Sequence, residues 1–121
     1  LQETIFYLRE RGVERIYLAG LSNGGIGASR LANQYQSDLA GLILISGADP
    51  TSVPVALPIL VIHGETDERI PVSMIEDFVL VSGSKATYHL FEGDHFVLLK
   101  QADQVQNAVA NWLMEQEANF Q

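Results

Sequence analysis

The sequence predicts an α/β fold: a parallel-sheet three-layer sandwich with helices on both faces. Three observations carry this. The runs LAGLILI at 39–45 and PILVIH at 58–63 are continuously apolar, as expected of strands buried on both faces. Such runs alternate with segments of helical apolar spacing, the order of βαβ units. The chain has 121 residues, 47% of them hydrophobic, enough for one core and a single domain over 1–121.

Taken in order, Leu1, Ile5 and Leu8 recur at helical spacing and predict a helix over 1–11 that stops at Gly12. Arg15–Ala19 is a short β-rich run, hence a first strand. Residues 24–35 read as a helix whose small face, Gly24, Gly27 and Ala28, would let it lie close against the sheet. The second strand is 39–45, ended by Ser46-Gly47. Residues 47–57, rich in Pro, Ser, Asp and Gly, form a loop. The third strand is 58–63, and a helix over 71–81 carries Pro71 in its first turn. The run KATYHLF at 85–91 is the fourth strand. Leu98, Ala102, Val105, Val109 and Trp112 then predict one helix over 97–117.

Composition excludes several functions. The chain has 7 Lys+Arg against 15 Asp+Glu, a formal charge of −8. Nucleic acid or an anionic membrane demands clustered positive charge, so neither is expected as a partner. There is no cysteine, hence no disulfide, thiolate nucleophile or cysteine metal site. No apolar run reaches the roughly 18 residues of a membrane span. The start, LQETIFYLRERG, lacks the basic-then-apolar pattern of a signal peptide. A soluble, acidic, cytoplasmic protein is the expectation. Three scattered histidines without an H-E-x-x-H pattern predict no metal site, and GGIG at 24–27 is not a phosphate loop.

The chemistry centres on Gly20-Leu21-Ser22-Asn23-Gly24. It matches G-x-S-x-G and lies between a predicted strand and a predicted helix, the context that this motif requires. A turn this sharp strains the serine backbone. Side chains two residues away on either side are expected to clash, which would make Gly20 and Gly24 obligatory. The turn lifts the Ser22 hydroxyl above the C-terminal sheet edge, where open α/β folds bind ligands. The following helix aims its N-terminus at the same point, so the Asn23 N–H is placed to stabilise an oxyanion. A serine hydroxyl also needs a base, and the base an orienting carboxylate. HGETDERIP at 63–71 follows the third strand, and FEGDHF at 91–96 follows the fourth. Acid and histidine candidates therefore sit past strand ends on the elbow's edge, in the order Ser, acid, His.

These segments resemble the C-terminal half of an α/β-hydrolase, in the esterase, thioesterase and dienelactone-hydrolase neighbourhood. GLSNGG resembles the nucleophile elbow, HGETDERIP the acid loop and GDHF the histidine loop. The resemblance spans essentially the whole chain. It implies Ser22 as nucleophile, Asp67 as orienting acid and His95 as general base of a serine hydrolase. The substrate would be a small carboxylic ester or thioester, and no cofactor is needed. It also implies that His63 bonds the loop holding the acid. His89, inside a predicted strand, is a weaker candidate base. Asp49, in ISGADP after the second strand, is the alternative acid. Glu65, Glu68, Glu92 and Asp94 read as solvated loop carboxylates, Trp112 as core and Phe120 as a frayed end.

The chain departs from the resemblance at its start. An α/β-hydrolase sheet has about four strands before the elbow, and here one helix precedes the first strand. The loop supplying a second oxyanion donor would lie in the part the chain lacks. Arg15–Ala19 would become an exposed apolar edge, to be covered by a second copy, as a homo-oligomer, or by a missing N-terminal segment. Losing one oxyanion donor costs about 10²–10³ in rate. The alternative reading is therefore a catalytically weak or inactive truncated domain, an interaction module or a fragment of a longer enzyme.

Overall fold

The computed structural model describes residues 1–54 and 56–120. Four strands form one sheet: β1 Tyr17–Leu21, β2 Gly41–Ile45, β3 Ile59–Gly64 and β4 Ala86–Phe91. Their spatial order is their chain order, and all three pairings are parallel. The helices are α1 Gln2–Glu10, α2 Asn23–Ala32, α3 Val72–Ser82, α4 Val97–Lys100 and α5 Ala102–Asn119. A parallel connection needs about a dozen residues. Helix α2 supplies the first crossover, the 46–58 stretch the second and α3 the third.

The core lies in two layers, one on each face of the sheet. Leu42 and Leu44 of β2 with Ile59 and Val61 of β3 pack against Ile5, Ala28, Ala32, Ile75 and Phe78 of α1, α2 and α3. The alternate residues Ile43, Ile45, Leu60 and Ile62 pack against Val97, Val105, Ala108 and Trp112 of α4 and α5. Every residue of β2 and β3 is buried, which is why both read as unbroken apolar runs. Each fully buried Leu or Ile contributes about 1.5–3 kcal/mol. Trp112 packs edge-on against Tyr17, with ring centroids 5.8 Å apart.

Three expectations need correction. Helix α2 turns Gly25, Ala28, Ser29 and Ala32 inward, while Gly24 and Gly27 are exposed. The expected small face is therefore rotated by about one residue. The terminal helix is two helices, broken at Gln101, whose φ of −127° and ψ of 42° leave the helical region. Its side chain donates instead to the Glu92 carbonyl at 2.9 Å. The first strand begins at Tyr17, where pairing with Gly41 starts, and not at Arg15, whose guanidinium is turned to Glu117.

β1 is an edge strand, paired only with β2 among the described residues. Leu21 is 48% exposed, and Leu18 and Ala19 line an open apolar groove with Gly24, Gly27 and Leu31 of α2. Among the described residues no helix is long and apolar enough to cross a membrane.

Candidate active site

The site begins where β1 meets α2. Ser22 has φ 58° and ψ −122°, a conformation that costs a non-glycine residue about 1–3 kcal/mol. The backbone around it supports that cost. The Ser22 N–H extends the sheet ladder to the Ile45 carbonyl at 2.8 Å. The Ser22 carbonyl accepts the Gly25 and Ile26 N–H groups at 2.9 and 3.2 Å. Asn23 then opens α2, so its own N–H and that of Gly24 have no acceptor within the helix.

The glycine requirement differs from the sequence expectation. A Cβ on Gly20 would lie 2.2 Å from the Gly24 carbonyl oxygen, so Gly20 is sterically required. A Cβ on Gly24 would meet nothing within 4 Å. The second constrained residue is Gly25, whose Cβ would lie 2.2 Å from the Gly47 carbonyl oxygen. The close approach is between the helix start and the turn after β2, and not across the elbow alone.

Asp67 and His95 reach Ser22 from the loops after β3 and β4. These loops are stitched together. The Glu65 N–H donates to the Phe91 carbonyl, and the Thr66 N–H and hydroxyl both donate to the Gly93 carbonyl, each at 2.9 Å. Asp67 Oδ1 accepts the Arg69 and Ile70 N–H groups at 2.8 Å each. Its Oδ2 lies 2.7 Å from His95 Nδ1, and His95 Nε2 lies 2.7 Å from Ser22 Oγ. Asp67 and His95 are both buried, and Ser22 is half-buried. Burial pushes the Asp67 carboxyl up, but hydrogen bonds from the Ile70 N–H, His95 and the Arg69 N–H outweigh it and hold it below the ordinary carboxylate value. An ionised Asp67 only accepts, so His95 Nδ1 carries a proton, and a neutral ring then leaves Nε2 free to accept from the Ser22 hydroxyl.

The other candidates lie elsewhere. His63 is fully buried. Its Nε2 lies 2.9 Å from the Ile70 carbonyl, to which it donates, and 3.4 Å from Asp67 Oδ2. It thus braces the acid loop and does not reach Ser22 Oγ. Asp49 is bonded to other partners and, among the described residues, to no histidine. Its Oδ1 accepts the Thr51 N–H and hydroxyl at 2.9 and 2.7 Å, and its Oδ2 accepts Arg30 Nε at 2.6 Å. The Thr51 hydroxyl and the Arg30 guanidinium hold it at about 2. Glu65, Glu68 and Glu92 are exposed, Asp94 pairs with Lys100 at 2.6 Å, and His89 stands edge-on to Phe91 in β4. Gly47 and Ser46 are residues of this site that the motifs do not mark, and Gly25 falls within GLSNGG but outside the G-x-S-x-G pattern.

A family model described as Phospholipase/Carboxylesterase matches residues 1–112. The chain belongs to this α/β-hydrolase family. Solved structures with the same fold include an α/β hydrolase from a sediment metagenome of the Mar Chica lagoon, Morocco. It is 14% identical with a TM-score of 0.79, and the match covers 96% of this chain and 68% of that one. A predicted CIB-like hydrolase from Thermoplasma acidophilum is 20% identical with a TM-score of 0.74, covering 88% of this chain and 54% of that one. A thermophilic esterase from Thermogutta terrifontis is 18% identical with a TM-score of 0.73, covering 91% and 69%. This chain thus spans about half to two-thirds of the length of these structures. Comparison with curated protein sequences gives no significant match.

Proposed function

We propose that this chain carries the catalytic groups of a serine hydrolase that cleaves a carboxylic ester or thioester. The observation that supports it most is the unbroken hydrogen-bonded chain from Asp67 through His95 to Ser22, with both links at 2.7 Å. Ser22 Oγ attacks the acyl carbon, and its proton passes to His95 Nε2. Asp67 stabilises the resulting imidazolium. The Asn23 N–H donates to the oxygen that becomes negative. His95 returns the proton to the departing alcohol or thiol. It then takes one from the water that attacks the acyl carbon, and gives it to Ser22 Oγ as the acyl–oxygen bond breaks, freeing the acid and the Ser22 hydroxyl. A fluorophosphonate probe tests this directly. Mass spectrometry is expected to find the adduct on Ser22 and none in Ser22→Ala. Folded wild-type protein that stays unlabelled overturns the reading.

A second reading is supported by the chain's span of 54–69% of its solved relatives. A site served by the Asn23 N–H alone would turn over about 10²–10³ more slowly than one with two oxyanion donors. The open edge of β1 fits the same picture, as a pairing surface for a second copy of the chain or a further segment. Light scattering is expected to give a mass above that of one chain. A strictly monomeric protein with β1 amides that exchange slowly would count against pairing there.

A further inference from the structure

Ser46 lies outside the chain of Ser22, His95 and Asp67, yet it holds the same histidine. It is the first residue after β2, as Ser22 is the first after β1. Leu21 pairs with Ile45, so the two serines are neighbours at the C-terminal edge of the sheet. Each extends the ladder by one bond, the Ser22 N–H to Ile45 and the Ser46 N–H to Ile62, at 2.8 and 2.9 Å. They are also the two non-glycine residues with positive φ among the described residues, at 58° and 61°.

The turn into α2 accounts for the strain at Ser22. Nothing in the backbone requires a serine at position 46, because glycine adopts this conformation without strain. What serine adds is a hydroxyl. That side chain is fully buried, and its Oγ–H donates to the His95 carbonyl at 3.1 Å. His95 follows β4, which is separated from β1 by β2 and β3. Its ring must nevertheless stay within 2.7 Å of Ser22.

We propose that Ser46 is a positioning residue for the hydrolase reaction: it holds the His95 backbone while Ser22 and Asp67 hold the ring. This rests on the hydrolase reading above. The tether matters most once Ser22 is acylated, because Ser22 Oγ then has no proton to share with His95. The ring must still be aimed to activate water, and Asp67 on Nδ1 and Ser46 on the carbonyl both act on His95 directly.

Ser46→Gly separates positioning from folding, since it removes the hydroxyl and also relieves the backbone strain. Three measurements apply: the melting temperature, the rate of fluorophosphonate labelling, and the NMR signal of the His95 Nδ1 proton that bonds Asp67. Ser46→Gly is expected to melt at or above wild type. Labelling is expected to slow about 10- to 100-fold, and the Nδ1 proton signal to broaden or move upfield. Wild-type labelling with an unmoved His95 signal overturns the proposal. So does a labelling loss matched by a loss of fold stability, which would make Ser46 merely structural. If wild-type protein itself is not labelled, the hydrolase reading fails. The NMR arm then decides: a displaced His95 signal in stable Ser46→Gly supports the tether, and an unchanged one overturns it.

Discussion

Asp67→Asn is expected to lower turnover of an ester substrate by about 10³–10⁴ while leaving the fold and KM nearly unchanged. The direction follows from which end of the side chain is already committed. Asp67 Oδ1 accepts two backbone N–H groups, from Arg69 and Ile70. In the variant the amide oxygen must take that position, because an NH₂ group there would face two donors. The amide nitrogen then faces His95 Nδ1, which has to become the acceptor. The ring proton moves to Nε2, opposite the Ser22 hydroxyl, and the base is lost without any change in shape. Steady-state kinetics with a chromogenic acetate ester, alongside a thermal melt, would check this. A variant that keeps more than about a tenth of wild-type turnover would remove Asp67 from the proposed role. Asp49→Asn, whose carboxylate bonds Thr51 and Arg30 and no histidine, serves as the control with turnover near wild type.

The same residues show what the sequence makes legible. The four strands could be read because β2 and β3 are buried on both faces, which leaves no polar alternation to blur their ends. The order of serine, acid and histidine could be read because each follows a strand and therefore falls on one sheet edge. What could not be read depends on neighbours distant in the chain. Gln101 breaks the last helix while the apolar spacing from Leu98 through Ala102 to Val105 continues across it. Its bond to the Glu92 carbonyl joins two segments that periodicity treats separately. Ser46 looks like any strand-ending serine until its hydroxyl is found on the His95 carbonyl. His63 is the exception: the resemblance already implied that it braces the acid loop, and its bond to the Ile70 carbonyl beside Asp67 agrees.

The elbow glycines carry this furthest and give the largest expected effect on the fold. Gly24 and Gly25 are adjacent, and the motif marks the first of them. The structure reverses their importance. Alanine at 25 would bring its Cβ within 2.2 Å of the Gly47 carbonyl oxygen, a backbone atom that cannot turn aside as a side-chain end does. Either α2 must lift from the sheet or the 46–47 turn must retreat, and that turn packs directly on Ser22. Gly25→Ala is therefore expected to destabilise the fold by about 2–3 kcal/mol, on the order of 10 °C in melting temperature. It should also abolish labelling of Ser22 at temperatures where the protein is still folded. Alanine at 24 meets open space at an ordinary helical position. There it gains helix propensity over glycine, up to about 1 kcal/mol. Melting curves of the two variants, measured side by side, decide the matter. If Gly24→Ala proves as damaging as Gly25→Ala, the tight contact lies within the motif as its sequence pattern suggests. If only Gly25→Ala fails, the elbow is held by the turn after β2, the same turn from which Ser46 reaches His95.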